Sequence, residues 1–421
     1  MINFFLFCKT GFRMNSSVLN FIIGLVLCLT IISCHNSKKK DQNPIKVFDL
    51  KELPNLSTLK LSDLGFVNIE YIPLETNEES MLPNIEGLSL NWGSYRILAD
   101  DNYIILKLWN KILKFRNDGS FVGLVGTEGR GPHEYTVAHD IDVNPENHNT
   151  YLVSAWQKKF NVYSDKGDFL RSFQMPIYAP VEFRFVDGNI LCYSDNLQGN
   201  IENSFVLLDT NGIILKNFPN KYPFTKHKSG VAHGLTHENL FYRFNNQLLK
   251  KEVYSDTIYA YKNMDFRPSL VIEVGERLIT PKARSEFEGL EIGKKYINPL
   301  NLFEFGDFVY YAFIYEFILG GDTKLYGFFG SKEKDFEAVI NLEEGLINDL
   351  DGGPNILPST IKDDNTVIAI IDALKLKTHV ASVDFKNSKP KLIQKKKELE
   401  KLASNLKETD NPILILLKLK N

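Results

Sequence analysis

A histidine and two aspartates stand close together in the first half of the chain, at His139, Asp140 and Asp142. On a β-strand, residues two apart project from the same face, so the two carboxylates would lie side by side. Such a pair could contact a polar ligand or hold a cation through its oxygens. Capping of the preceding Gly-Pro turn is the simpler interpretation of the carboxylates. No metal is therefore predicted, and the three residues are candidate ligand contacts.

A second group could bind a metal by its spacing, since His233 and His237 are four residues apart, with Glu238 adjacent and His227 nearby. On a helix this spacing would place two ligands on one face. The glycines around these histidines indicate a loop that leads into a strand instead. We therefore interpret them as loop residues, and no cofactor is predicted.

A glycine-rich stretch precedes the first group, with the sequence Gly129-Arg130-Gly131-Pro132-His133-Glu134-Tyr135. A phosphate cradle would need a helix to begin after the glycines. The residues that follow, 136–139, are typical of a strand. The glycines and the proline are therefore predicted to set the backbone geometry of a loop.

The cysteines do not form a disulfide framework. Cys8 and Cys28 lie in an N-terminal leader and Cys34 directly follows it, which leaves Cys192 in an apolar stretch. A lone cysteine in such a stretch is typically a small core residue. Because no histidine and acid are placed with it, Cys192 is not predicted to be a nucleophile.

Two tryptophans occupy nearly equivalent positions, Trp109 ahead of Gly119 and Trp156 ahead of Gly167. Burial between neighbouring sheets is the commoner arrangement for an indole and is the expectation for this pair. If they were exposed at a rim instead, they would be suited to stacking against sugar rings.

The first 33 residues are predicted to be a lipoprotein signal peptide. Basic residues precede an apolar run from Val18 to Ile32, which is short for a membrane span and right for a signal core. The run ends in Ile31-Ile32-Ser33-Cys34, which resembles the bacterial lipobox, so Cys34 would receive lipid. An anchor helix or an ordinary cleaved signal remains open, as does a start at Met14 rather than Met1.

The polar residues 34–44 are predicted to form a flexible tether, with a globular domain from 45 to 421. Of the 421 residues, 43% are hydrophobic, and 49 Lys and Arg stand against 52 Asp and Glu. The hydrophobic content is typical of a globular chain. The charge balance excludes binding of nucleic acid through a net positive charge of the whole chain.

A repeated hairpin pattern indicates the fold class. Apolar positions recur in the same register around Gly119, Gly167 and Gly212, spaced by 48 and 45 residues. Glycine at each turn can take a positive φ, and the flanking residues then fall on the buried face of two antiparallel strands. The period suits a blade of four strands in a β-propeller.

Two segments depart from the strand pattern. Residues 277–296 predict a short helical insertion, and residues 391–407 predict an amphipathic helix with a charged outer face. A final strand at 413–417 could pair with an N-terminal strand and close the ring. Degraded later repeats bring the predicted count to six blades in an all-β fold.

The Gly129–Tyr135 stretch is similar to the linkers of NHL-type propellers, in which such a loop precedes the innermost strand of the next blade. More closely, residues 45–421 resemble the six-bladed β-propeller lipoproteins common in Bacteroides-type bacteria. Besides the lipobox, the resemblance rests on the order of four motifs: Ile72-Pro73-Leu74-Glu75-Thr76, Gly129-x-Gly-Pro-x-Glu-Tyr135, Ser255-Asp256-Thr257-Ile258-Tyr259 and Asp410-Asn411-Pro412. It implies a fold and a location, but no reaction.

These observations favour a binding or scaffolding module over an enzyme. The chain would be held in the cell envelope, on the periplasmic face or the cell surface, by lipid on Cys34. Its ligand would be a glycan, a peptide or a protein, and not a nucleic acid. The alternative is a hydrolase or lyase with its site at the central channel. Fold alone does not distinguish these functions.

Overall fold

The computed structural model describes residues 44–83, 95–176, 181–226, 235–321 and 323–420. The strands of these residues form six sheets, which are the six blades of a β-propeller. The predicted all-β, six-bladed fold is therefore confirmed. The predicted signal peptide and Cys34 lie outside the described residues.

The strands follow one another in short hairpins along the described chain. In chain order they are β1 (Lys46–Asp49), β2 (Phe66–Pro73), β3 (Arg96–Ala99), β4 (Tyr103–Lys107), β5 (Ile112–Arg116), β6 (Phe121–Leu124), β7 (Asp140–Val143), β8 (Thr150–Ser154), β9 (Lys159–Tyr163), β10 (Phe169–Gln174), β11 (Glu182–Val186), β12 (Asn189–Tyr193), β13 (Asn203–Leu208), β14 (Ile214–Pro219), β15 (Asn239–Phe244), β16 (Gln247–Glu252), β17 (Thr257–Lys262), β18 (Asp265–Glu273), β19 (Asn298–Phe305), β20 (Phe308–Tyr315), β21 (Lys324–Ser331), β22 (Glu337–Asn341), β23 (Pro358–Asp363), β24 (Thr366–Ile371) and β25 (Ile413–Leu419).

The blades are numbered 1 to 6 in the order in which their innermost strands follow one another along the chain. Blades 1, 2 and 3 are β3–β6, β7–β10 and β11–β14, and blade 5 is β19–β22. Blade 4 is β15–β18, with β1 added in parallel to the outer strand β18. Blade 6 is β23, β24 and β25, with β2 as its outer strand. Among the described strands, the first strand of every blade therefore has one edge that no other strand covers.

The three predicted hairpins join the third and fourth strands of blades 1, 2 and 3. Gly119, Gly167 and Gly212 have φ values of 86°, 87° and 90°, as expected for glycine turns. The positions are also tight, because a Cβ on Gly167 would lie 2.4 Å from the carbonyl oxygen of Leu124 in blade 1. Each of these turns docks against the outer strand of the preceding blade, which explains why the glycine recurs.

The ring closes between the two ends of the described chain. Strand β25 pairs antiparallel with β2, as the prediction of a closing strand required. Next to this pair, the buried side chain of Asn411 donates to the carbonyl oxygens of Glu75 and Ser80 at 2.8 and 2.9 Å. Its own oxygen accepts from the backbone N–H of Leu82 at 2.9 Å. Two motifs more than 300 residues apart therefore meet at the closure.

The helices lie in connections between strands. They are α1 (Pro281–Glu286), α2 (Gly289–Lys295), α3 (Ala373–Ala381), α4 (Val383–Asn387) and α5 (Ile393–Asn405). The first two form the predicted insertion, and α5 is the predicted C-terminal helix. The sequence pattern missed α3 and α4 because each is short and buries only one or two side chains. No helix of the described residues is long and apolar enough to cross a membrane.

We expect Gly167→Ala to lower the free energy of unfolding by about 2 kcal/mol or more, because the new methyl group would meet a backbone oxygen that cannot move aside. Gly320→Ala is the matched control, since Gly320 has a φ of 72° but open space around its Cβ position. The control variant should lose only the free energy that corresponds to backbone strain, about 1 kcal/mol. Urea unfolding measures both, and equal losses would contradict the docking role of the turn.

Candidate functional site

The innermost strands of all six blades surround a central cavity of about 1110 Å³. Its walls differ in character around the ring. Blades 1 to 4 contribute charged side chains, whereas blades 5 and 6 contribute mainly apolar and neutral ones. Representative lining residues, one from each blade in order, are Arg96, Asp140, Arg184, Arg243, Leu302 and Ile361.

Asp140 is the centre of the charged wall. Its Oδ1 atom accepts from Arg96 Nη1 at 2.7 Å, and its Oδ2 atom accepts from Arg184 Nη1 at 2.5 Å. The backbone N–H groups of Ile141 and Phe183 also donate to this carboxylate, at 2.9 and 3.0 Å. One buried side chain therefore joins blades 1, 2 and 3.

Asp142 extends the same network to blade 4. Its Oδ2 atom accepts from the backbone N–H of Phe185 at 2.8 Å and from Arg243 Nη2 at 3.3 Å. Its Oδ1 atom lies 3.8 Å from Arg96 Nη2. As predicted from their spacing, the two aspartates share one face of a strand at the channel.

The arginines complete the network by donating to backbone carbonyls of inner strands, Arg96 and Arg243 to a neighbouring blade and Arg184 within its own strand. Arg96 Nη1 donates to the carbonyl of Ile141 at 2.8 Å, and Arg243 Nη2 donates to that of Phe185 at 2.6 Å. Arg184 donates to the carbonyl of Phe183. Buried backbone groups must be paired, so these side chains take the place of a missing strand.

The charges also set the protonation state of Asp140. Burial alone would raise the pKa of its carboxyl group, but the guanidinium groups of Arg184 and Arg96 outweigh it and lower the pKa to about 2. The carboxylate is therefore ionised at any physiological pH. Both of its oxygens are already occupied, so its direct contact with a ligand stays a prediction.

His139 lies at the mouth of the channel between two indoles. Its ring centroid is 5.8 Å from that of Trp109 and 5.4 Å from that of Trp156, both edge to face. Its Nδ1 atom accepts from the backbone N–H of Ala155 at 3.2 Å. Burial first, and then the ammonium of Lys107, lowers the pKa of His139, which favours the neutral imidazole.

The expected burial of the two tryptophans is wrong. Trp109 is 47% exposed and Trp156 is 72% exposed. They lie in the short connections after the second strands of blades 1 and 2, beyond the sheets that would have covered them. The sequence showed their equivalence but not the end of the blade at which they project.

Sequence reasoning missed four cations that line the channel, Arg96, Lys107, Arg184 and Arg243. A usable signal was present, because Glu182-Phe183-Arg184-Phe185 alternates charged and apolar residues on an inner strand, like the Asp140–Val143 stretch. Lys107 carried no such signal. It ends the second strand of blade 1 and pairs with Arg96 across the sheet.

The predicted histidine group is only partly described, since His227 and His233 lie outside the described residues. The Nδ1 atom of His237 is 3.4 Å from Glu182 Oε1. Glu238 is buried and accepts from Arg284 Nη1 of α1 at 2.8 Å, which fixes the helical insertion to blade 4. Within the described ranges, no three metal-binding side chains are gathered into a site.

Two other sequence features have structural roles. In the glycine-rich loop, the Glu134 carboxylate accepts from the backbone N–H of Gly131 at 2.7 Å, and a Cβ on Gly129 would collide with it. The loop is therefore closed on itself, in agreement with a backbone role. Cys192 is buried in the core between blades 2 and 3, and burial raises the pKa of its thiol.

The family model described as "Domain of unknown function (DUF4934)" matches residues 45–418. The chain belongs to this family. No protein of curated function has a significantly similar sequence. The DUF4934 match covers every blade, including the residues of the charged wall.

The chain is similar to several solved structures, and the first of them shows the same fold. A "putative exported protein" of Bacteroides fragilis aligns with a TM-score of 0.63 at 17% identity, over 89% of this chain and all of that one. A DUF4221 family member from Bacteroides vulgatus aligns over 84% of this chain and 97% of that one, with a TM-score of 0.48 and 10% identity. Virginiamycin B lyase from Staphylococcus aureus covers 72% and 95%, with a TM-score of 0.35 and 11% identity. The last two likenesses are too low to indicate a shared function.

We expect Asp140→Asn to lower the free energy of unfolding by about 3–5 kcal/mol at neutral pH, because two buried guanidinium groups lose their counter-ion. The control is Asp101→Asn. The exposed carboxylate of Asp101 pairs with Lys362 at 3.1 Å and contributes little to the free energy of unfolding. Thermal unfolding measures the difference. Equal melting temperatures for the two variants would refute the role of Asp140.

The same variant tests the acid dependence. Since the folded state lowers the pKa of Asp140, its contribution is complete above about pH 4 and is lost as the pH falls toward 2. The Asn variant should therefore lose less additional stability than the wild type over that interval. Parallel unfolding curves across pH 2–5 would contradict the ionised pair.

Proposed function

We propose that this protein is an exported lipoprotein whose propeller is a binding or scaffolding module in the cell envelope. The apolar leader and the Ile31-Ile32-Ser33-Cys34 pattern support lipidation of Cys34. The Bacteroides structure with the same fold is described as exported, which supports the same location for this chain. The linker at Gly129–Tyr135 further supports kinship of the blades with NHL-type repeats.

The observation that carries the binding role is the central cavity, where side chains of six blades can reach one ligand. His139 is proposed as a direct contact at the mouth. Asp140 and Asp142 stay candidate contacts, and their ion pairs hold Arg96 and Arg243 at the wall. The ligand class is a glycan, a peptide or a protein, and the lipid anchor provides the contact with the membrane.

One observation favours the alternative of a hydrolase or lyase. Asp195 lines the cavity, and burial, followed by the nearby carboxyl groups of Glu238 and Glu182, raises its pKa well above the usual range. A carboxylic acid held neutral can donate a proton to a leaving group. Binding is the better supported function, because it rests on a cavity lined by side chains of all six blades and not on one carboxyl group.

Replacing Cys34 with Ala is expected to abolish incorporation of a radioactive fatty acid and to release the chain from the membrane fraction. The reason is that the thiol of Cys34 is the proposed attachment point. Cys28→Ala, within the apolar run, is the matched control and should keep the label. Unchanged labelling of the Cys34 variant would refute the anchor.

A channel-blocking variant tests where the ligand binds. The full-length chain is screened against glycan and peptide arrays, and Thr360→Trp, in the cavity wall, should weaken any captured ligand at least tenfold. Ile213→Trp, which is exposed on the rim of blade 3, should not. Full binding by the Thr360 variant would exclude the channel.

The same ligands distinguish the two functions. If the protein were an enzyme, it would convert a bound ligand to product, and Asp195→Asn would stop turnover while binding persisted. An intact ligand after prolonged incubation supports a binding module.

A further inference from the structure

Among the described residues, one cation of the charged wall has no direct ion pair, although the carboxylates of Asp140 and Glu182 attract it from a distance. Arg96, Arg184 and Arg243 all pair with Asp140 or Asp142. Lys107 does not, because among the described residues its ammonium has neither an ion pair nor a hydrogen-bond acceptor. Its closest aromatic partner is Trp109, whose ring centroid lies 5.3 Å from Nζ.

This arrangement is unfavourable for the fold itself. Lys107 is only 2% exposed, and a buried charge without a carboxylate partner loses hydration that little replaces. Burial accordingly lowers the pKa of Lys107 to about 8. A methionine of similar length would fill the same space without this cost. The side chain of Lys107 nevertheless lines the cavity, where a ligand could supply an anion.

Two exposed indoles stand next to this cation. Lys107, Trp109, His139 and Trp156 form a continuous row, in which each ring lies 5–6 Å from the next group. We call this row the mouth platform. An indole offers a flat apolar face, and Trp109 and Trp156 present two such faces at the surface on either side of His139.

We propose that the mouth platform binds an acidic carbohydrate, with a sugar carboxylate on Lys107 and a pyranose ring stacked on Trp109 or Trp156. This inference rests on the proposed binding function and names its ligand class. The carboxylate would form the charge-assisted contact that Lys107 lacks in the free protein.

The surroundings favour a sugar over an apolar peptide anchor. An apolar side chain would need an enclosed apolar pocket, whereas the platform is open and is bordered by charged groups. A pyranose ring has one face of C–H groups for the indole and hydroxyl groups for a polar rim. Arg96 and Lys107, which line the cavity beside these rings, can donate hydrogen bonds to such hydroxyls.

The decisive variant is Lys107→Met, studied in the full-length chain. Binding of oligogalacturonides is measured by calorimetry, beside the same oligosaccharides after reduction of their carboxyl groups to alcohols. The wild type should bind the acidic form at least tenfold more tightly than the reduced form. The Met variant should lose this preference while its melting temperature stays unchanged or rises. A purely structural lysine would instead give a lower melting temperature.

The platform is tested separately by Trp156→Ala, which should weaken both forms of the oligosaccharide at least fivefold. Trp156 is mostly exposed, so the variant should fold normally. Leu170→Ala, an exposed apolar residue on the outer strand of blade 2, is the matched control and should change nothing.

The affinity measured over a pH series adds a further test, because a purely structural role of Lys107 would not make the affinity depend on pH. Affinity for the acidic form should fall as the pH rises through about 8, where Lys107 loses its proton. The charged or titratable groups that act on it are Arg96, His139, Asp140, Glu182 and Arg184. Of these, Asp140 is ionised throughout this range, and the Met variant should show no such decline.

The outcomes separate this inference from the proposed function. Equal binding of acidic and reduced oligosaccharides, no binding of either, or capture of an acidic peptide in their place would overturn the acidic-carbohydrate assignment. If the array ligand still bound and Thr360→Trp still blocked it, the channel would remain the binding site. Binding that survives the Thr360→Trp substitution is the outcome that would overturn both the channel site and the acidic-carbohydrate assignment.

Discussion

The uncovered edges of the inner strands are the constraint on which the channel depends. A propeller blade leaves the N–H and C=O groups of its first strand facing the axis, where a buried wall cannot leave them unpaired. The carboxylates of Asp140 and Asp142 in blade 2 accept from the edge amides of Phe183 and Phe185 in blade 3, at 3.0 and 2.8 Å. Guanidinium groups donate to the edge carbonyls. Removing one aspartate would therefore affect backbone pairing, charge balance and the spacing of the blades together.

This arrangement divides the charged residues of the channel into two kinds. The aspartates and the three arginines pair with one another, and these pairs position the wall. Lys107 stands apart from that network, although it shares the same electrostatic field. Buried ion pairs contribute little net stability once desolvation is counted, and an unpaired buried ammonium opposes folding. A lysine at this position is therefore explained better by ligand binding than by a contribution to folding stability.

The motifs that carried the family resemblance have mainly structural roles. Asn411 joins the last connection to the loop after β2, and Glu134 closes the glycine-rich loop on Gly131. In the Ser255–Tyr259 motif, Asp256 accepts from the backbone N–H of Val274 at 3.3 Å. These contacts close the ring and fix the connections between strands. They explain why the order of the motifs predicted the fold of a DUF4934 protein but no ligand.

The local elements could be predicted from the sequence because their signals are local: glycine turns in register at 119, 167 and 212, period-two strands and two helical interruptions. The face shared by Asp140 and Asp142 could be predicted too, since it follows from strand geometry alone. Which side chains meet could not be predicted, because that depends on how the ring closes. Arg96, Arg184 and Arg243 come from three other blades, so no spacing along the chain could pair them with the aspartates. The exposure of Trp109 and Trp156 and the isolation of Lys107 depend likewise on where strand ends project and on which neighbours the closed ring brings near, and both are long-range consequences of folding.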